Sequence, residues 1–185
     1  MDLDFRMHAE RTPNPASIKW VVNQQLAPLG LSANFSEPVG EELSPLAARL
    51  FAVPGVERIF VAPGFVTVTK AEDLEWTDLA QPVVDAIKAH VASGEPALGP
   101  AYEAPPAGEG GDVEARIREI LAQEVRPAVA MDGGDVVFSS YHDGVVEVVL
   151  QGSCVGCPSS TATLRFGIEA RLREEIPEVT RVVSV

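Results

Sequence analysis

The 185-residue sequence predicts an α+β protein of two small α/β-sandwich-type domains, each a short sheet packed with helices. Three observations predict it. Both halves of the chain carry short alternating apolar runs beside longer stretches with apolar residues at helical spacing. Between them lies a Gly/Pro/Ala/Glu-rich stretch without apolar periodicity, which reads as a flexible linker. The hydrophobic content of 46% is ample for packed cores, and the length permits two small domains. The expected boundaries are residues 1–91, a linker over 92–112, and 113–185.

In the first domain, residues 17–24 predict a strand. Ser44 is a helix cap, and Pro45 suits the first turn of a helix running to residue 51. Residues 56–61 and 65–69 predict a hairpin closed around Pro63-Gly64, and residues 77–91 a helix. In the second domain, Val113, Ile117, Ile120 and Leu121 share one face of a helix expected over 113–125. The run Met131-Asp132-Gly133-Gly134-Asp135 forms a turn into a strand, since Asp bonds its own backbone and Gly supplies positive φ. Two apolar runs then flank His142-Asp143-Gly144, the signature of a hairpin. Pro158, Ser159 and Ser160 start a helix in which Leu164, Ile168 and Leu172 recur at helical spacing, and residues 180–184 form a last strand.

Chemistry concentrates at one place. The chain has two cysteines, and both fall in Gly152-Ser153-Cys154-Val155-Gly156-Cys157-Pro158-Ser159-Ser160. Thiols at this spacing can form a local disulfide, exchange disulfides, or supply half of a four-ligand metal site. Half a site calls for a second chain. Cys157 falls where a helix is expected to begin, and unpaired N–H groups with the helix dipole favour negative charge there, so thiolates are expected to form readily. Gly156 allows positive φ, letting both sulfurs turn toward one centre. On the residues alone, three readings stay open: a metal or cluster carrier, a thiol-disulfide oxidoreductase, and a zinc-bridged dimer. Against thiol exchange, the pair follows a hairpin strand and lacks thioredoxin-like βαβ order.

The stretch from residue 113 to 185 resembles the C-terminal domain of the NifU-like (Nfu) iron-sulfur cluster proteins. The matching residues are Met131 to Asp135 and the cysteine run quoted above. The resemblance implies that Cys154 and Cys157 are ligands of a 4Fe-4S cluster held between two protomers. It also implies a homodimer when cluster-bound, an upstream cluster donor, and apo iron-sulfur proteins as recipients. Val155 stands where the family often has Thr, a change beside the ligands that bears on cluster lability. Arg11-Thr12-Pro13-Asn14-Pro15-Ala16-Ser17-Ile18-Lys19-Trp20 resembles the opening of the family's N-terminal domain. The runs Leu46 to Phe51, Val53-Pro54-Gly55-Val56 and Ile59-Phe60-Val61 fit that domain's helix, turn and strand.

Other classes are disfavoured. The net charge of -13 is spread over both halves, leaving no basic face for nucleic acid. No apolar stretch approaches the ~20 residues that span a bilayer. The first residues, Met1-Asp2-Leu3-Asp4-Phe5-Arg6, lack a secretory pattern and are too acidic for a mitochondrial transit peptide, so a cytoplasmic, reducing location is expected. Nucleophile elbows, zincin helices and phosphate-cradling loops are lacking, and the protein is expected not to be an enzyme. Asp132 and Asp135 are expected to shape their turn, and His142 to face solvent beside its own. His8 and His90 have no metal-ligand spacing to the cysteines. Trp20 and Trp76 are expected to be partly buried, and Arg165, Arg171 and Arg173 to lie on an exposed helix face.

Overall fold

A computed structural model describes residues 4–104, 110–157 and 161–185. The chain divides between residues 105 and 106 into two compact units.

In the first unit, β1 (Met7–Arg11), β2 (Ser17–Val22), β3 (Ala33–Phe35), β4 (Val56–Ala62) and β5 (Phe65–Lys70) form an antiparallel sheet in the order β1-β2-β5-β4-β3. Helices α1 (Pro45–Phe51) and α2 (Trp76–Ser93) complete it. Their apolar residues Leu46, Leu50, Val83 and Ile87 share a core with Ile59, Val61, Val66 and Val68 of the central strands. Ser44 caps α1 as expected, its hydroxyl accepting from the Ala47 N–H at 3.1 Å. Strands β1 and β3 escape sequence reading because they are the two edges of the sheet. Met-His-Ala-Glu-Arg carries little apolar alternation, and β3 has three residues, too few to show a period. Trp20 is buried at 5% exposure, deeper than expected, whereas Trp76 is half-buried and donates from Nε1 to the Pro15 carbonyl.

The stretch 92–112 differs from the flexible linker expected of it. Helix α2 runs through Ser93 and closes on Gly94, whose φ of 71° gives the left-handed C-cap that glycine takes without a Cβ penalty. Beyond it, Ala97 is 3% exposed and its carbonyl accepts from the Ser44 hydroxyl at 2.6 Å. Tyr102 sets its ring against Phe35 and donates from its hydroxyl to the Ser32 carbonyl at 3.1 Å. A strap of small and apolar residues held by single anchors has no period, so composition alone cannot tell it from a tether. The part of the expected linker at 105–109 lies outside the described residues.

The second unit begins with α3 (Asp112–Ile120), a single π-helical turn (Leu121–Val125) and α4 (Arg126–Met131). The expected helix end at residue 125 is thus overrun. Pro127 has no N–H and its ring crowds the preceding turn, which ordinarily stops a helix. Here the chain widens one turn instead and continues. Strands β6 (Gly134–His142), β7 (Val145–Gly152) and β8 (Arg181–Ser184) form a sheet in that order, β6 and β7 antiparallel, β7 and β8 parallel. The expected hairpin turns at Asp143 (φ 50°) and Gly144 (φ 83°), both left-handed, the geometry that suits a two-residue connection. Helix α5 (Thr161–Glu175) sends Ile168 and Leu172 into a core with Ile117, Leu121, Val136, Val146, Val148 and Val182. The helix start expected at 158–160 lies outside the described residues.

Candidate metal centre

The cysteine loop is built where β7 runs out. Gly152, at φ 66°, turns the chain out of the strand, and Gly156, at φ 70°, turns it again between the sulfurs. Left-handed φ is open to glycine at little cost, which explains both residues. The loop is tied to the turn that precedes β6. The Ser153 N–H donates to the Gly133 carbonyl at 3.2 Å, and the Ser153 hydroxyl donates to the Asp132 carbonyl. On its far side the Thr161 hydroxyl reaches the carbonyls of Cys154 and Cys157 at 3.4 and 3.3 Å, joining the first turn of α5 to the loop.

Neither cysteine is in a disulfide, and both are buried, at 5% and 4% exposure. Gly134, opposite Gly152 in the strand register, lies directly against Cys154. Burial pushes the Cys154 thiol up to about 11, and the carboxylates of Asp132 and Asp135 and the neighbouring Cys157 push the same way, against the Ser153 hydrogen bond. The expectation of easily formed thiolates is therefore corrected at Cys154. Desolvation in a loop packed on the strand end outweighs any benefit of the helix start, and α5 begins, among the described residues, only at Thr161.

A protonated, buried thiol makes a poor nucleophile, because the thiolate is the reactive species. It remains a good ligand. Metal binding displaces the proton and supplies the positive charge that burial withholds. Two thiols are half of a tetrahedral or cluster ligand set. Among the described residues no group of three or more His, Cys, Asp or Glu could hold a metal ion.

The other expected residues fall as follows. His142 is exposed beside its turn, while His8 pairs with Glu10 and His90 is buried, both in the first unit. Arg171 lies in ion pairs with Glu124, Glu174 and Glu175, Arg173 reaches Glu169, and the Arg165 guanidinium lies over the Phe166 ring. Asp135 does more than shape a turn: it is buried and binds Arg126 through both carboxylate oxygens. Sequence reading missed Arg126 because it ended the helix one residue earlier. It also missed the contact of Gly134 with Cys154, for which the paired glycines of the Asp-Gly-Gly-Asp run were the available signal.

An α+β unit with a hairpin, a buried thiol pair at its strand end and a helix beyond defines the class of protein: a small α+β domain carrying a buried Cys-x-x-Cys pair, preceded in the sequence by another α+β unit. Comparison with known proteins narrows it. The family described as NifU-like domain matches residues 117–183, and that described as Scaffold protein Nfu/NifU N terminal matches residues 7–94. The human protein named NFU1 iron-sulfur cluster scaffold homolog, mitochondrial, is 40% identical over 185 residues, covering 97% of this chain and 71% of its own length. Its namesake from Drosophila persimilis is 37% identical, covering 97% of this chain and 64% of its own length. The solution structure of a NifU-like protein from Saccharomyces cerevisiae aligns at TM-score 0.45 and 21% identity, over 53% of this chain and 89% of its own. The chain belongs to the Nfu family of iron-sulfur cluster scaffold proteins.

Proposed function

We propose that Cys154 and Cys157 from two copies of this chain hold one 4Fe-4S cluster between them, and that the chain takes this cargo from an upstream donor and passes it to apo iron-sulfur proteins. The observation that carries the reading is the pair of buried thiols, neither in a disulfide, on one loop: two of the four cysteine ligands that such a cluster requires. The relatives, named as iron-sulfur cluster scaffold homologs, support an iron-sulfur cargo. Ligands divided between two subunits give a route for release, because loosening the dimer opens the site. The raised Cys154 thiol disfavours the thiol-exchange reading, which needs an accessible thiolate. Carriage, with no chemical conversion, is the activity. A cytoplasmic, reducing location belongs to the same proposal, since both thiols must stay reduced.

The test is native mass spectrometry after anaerobic reconstitution with ferrous iron and sulfide, on the wild type and on Cys157→Ser. A wild-type dimer heavier by one 4Fe-4S unit, absent from the variant, is the expected result. A dimer carrying zinc, or a monomer lighter by two hydrogens, overturns it.

A further inference from the structure

A buried carboxylate close to a thiolate site is costly. Asp135 is one, with a side chain only 7% exposed. It lies one residue beyond Gly134, the residue on which the Cys154 sulfur rests. Arg126 compensates it. Its Nε donates to one carboxylate oxygen at 2.8 Å and its Nη2 to the other at 2.7 Å, a two-pronged pairing that fixes direction as well as distance. The Val136 N–H donates to the same carboxylate at 2.8 Å.

The two residues belong to different elements. Arg126 opens α4 directly after the π-helical turn, and Asp135 is the second residue of β6. Their pairing therefore locks the start of α4 to the strand whose first residue is the floor under Cys154. A cluster with four thiolate ligands carries net negative charge, so an unpaired Asp135 would repel it as well as loosen the floor.

We infer that the Arg126–Asp135 pair is the positioning device of the cysteine site, holding Gly134 beneath Cys154 and countering part of a carboxylate charge that opposes an anionic cluster. The charge half of this inference rests on the cluster reading above, whereas the positioning half applies to the bare thiols.

Two measurements on the full chain separate the halves. In cluster-free protein, mass spectrometry follows alkylation of Cys154 by iodoacetamide. In reconstituted protein, a ferrous chelator draws iron out while absorbance reports the loss. Arg126→Gln is expected to speed both, the loss of iron by roughly ten- to a hundredfold, the range seen in metal affinity when groups supporting metal ligands are removed. Adding Asp135→Asn to Arg126→Gln is expected to recover much of the cluster lifetime, because no carboxylate is left unpaired. Should Arg126→Gln fail to fold, Arg126→Lys keeps the charge without the fork, and is expected to speed alkylation while sparing cluster lifetime. Rates unchanged in Arg126→Gln, or changed no more than in Arg171→Gln on the exposed ion-pair network, overturn the inference. A wild type that holds no cluster removes the charge half and the cluster reading together, and the alkylation rates still decide the positioning half.

Discussion

Gly134 meets Cys154 so closely that a Cβ built on the glycine would stand 2.6 Å from the thiol sulfur and 2.8 Å from the Gln151 carbonyl oxygen. The second neighbour is backbone, so relief requires the strand pair as well as the cysteine to shift. Gly134→Ala is therefore expected to destabilise the second unit by about 1–3 kcal/mol through overpacking, and to impair iron retention after reconstitution. Thermal denaturation with iron quantitation checks this. A variant with wild-type midpoint and wild-type iron would remove Gly134 from the site.

The raised Cys154 thiol makes cluster-free stability fall in alkali. In the unfolded chain the thiol ionises around its ordinary value of 9.0, whereas in the folded chain it holds its proton to about 11. The unfolded state is thus favoured increasingly as pH rises between those values. The stability at stake is present below about pH 9 and gone above about 11, on the order of 3 kcal/mol. Urea denaturation of cluster-free wild type and Cys154→Ala across this range should show the slope in the wild type alone. Parallel curves would mean that the thiol is not held protonated by its surroundings.

Ser44 joins two parts of the first unit that are far apart in sequence. Its hydroxyl accepts from Ala47 to cap α1 and donates to the Ala97 carbonyl at 2.6 Å, all three residues being buried. Ser44→Ala removes the cap and leaves a buried carbonyl unpaired, so a loss of about 2 kcal/mol is expected. Amide exchange should rise around residues 97–102 in the same variant. Protection there equal to wild type would show that the strap is held without Ser44.

His90 gives the first unit an acid-side sensitivity. The residue is buried and its Nδ1 has no hydrogen-bond partner. Burial first, and the nearby Arg49 guanidinium second, push its pKa below 6.5, with Glu95 opposing. The unfolded chain therefore binds a proton at a pH where the folded one does not. The associated stability is present above about pH 6.5 and is lost as pH falls through the depressed value. His90→Leu should unfold with a flatter pH dependence below 6.5 than the wild type. An identical acid slope in both proteins would count against a neutral His90.

Legibility followed the range of each signal. The cap at Ser44, the hairpin turns and the thiol pair are patterns of consecutive residues, and the structure places the first two where sequence reading did. The edge strands β1 and β3 were hidden because an edge has only one neighbour to pattern its side chains. Pro127 misled for a different reason: its local rule is correct, and one π-helical turn absorbs the cost.

By itself the sequence determined the two-part α+β organisation, the acidic composition, and the confinement of both thiols to the single run Cys154 to Cys157, since composition and short-range spacing need no partner to have meaning. Only the tertiary structure decided that Cys154 is desolvated and keeps its proton, that Gly134 lies beneath it, that Arg126 neutralises Asp135, and that Ala97 and Tyr102 anchor a strap. Burial and ion pairing are properties of residues brought together by the fold. Neither can be read from residues that meet only once the chain has closed on itself.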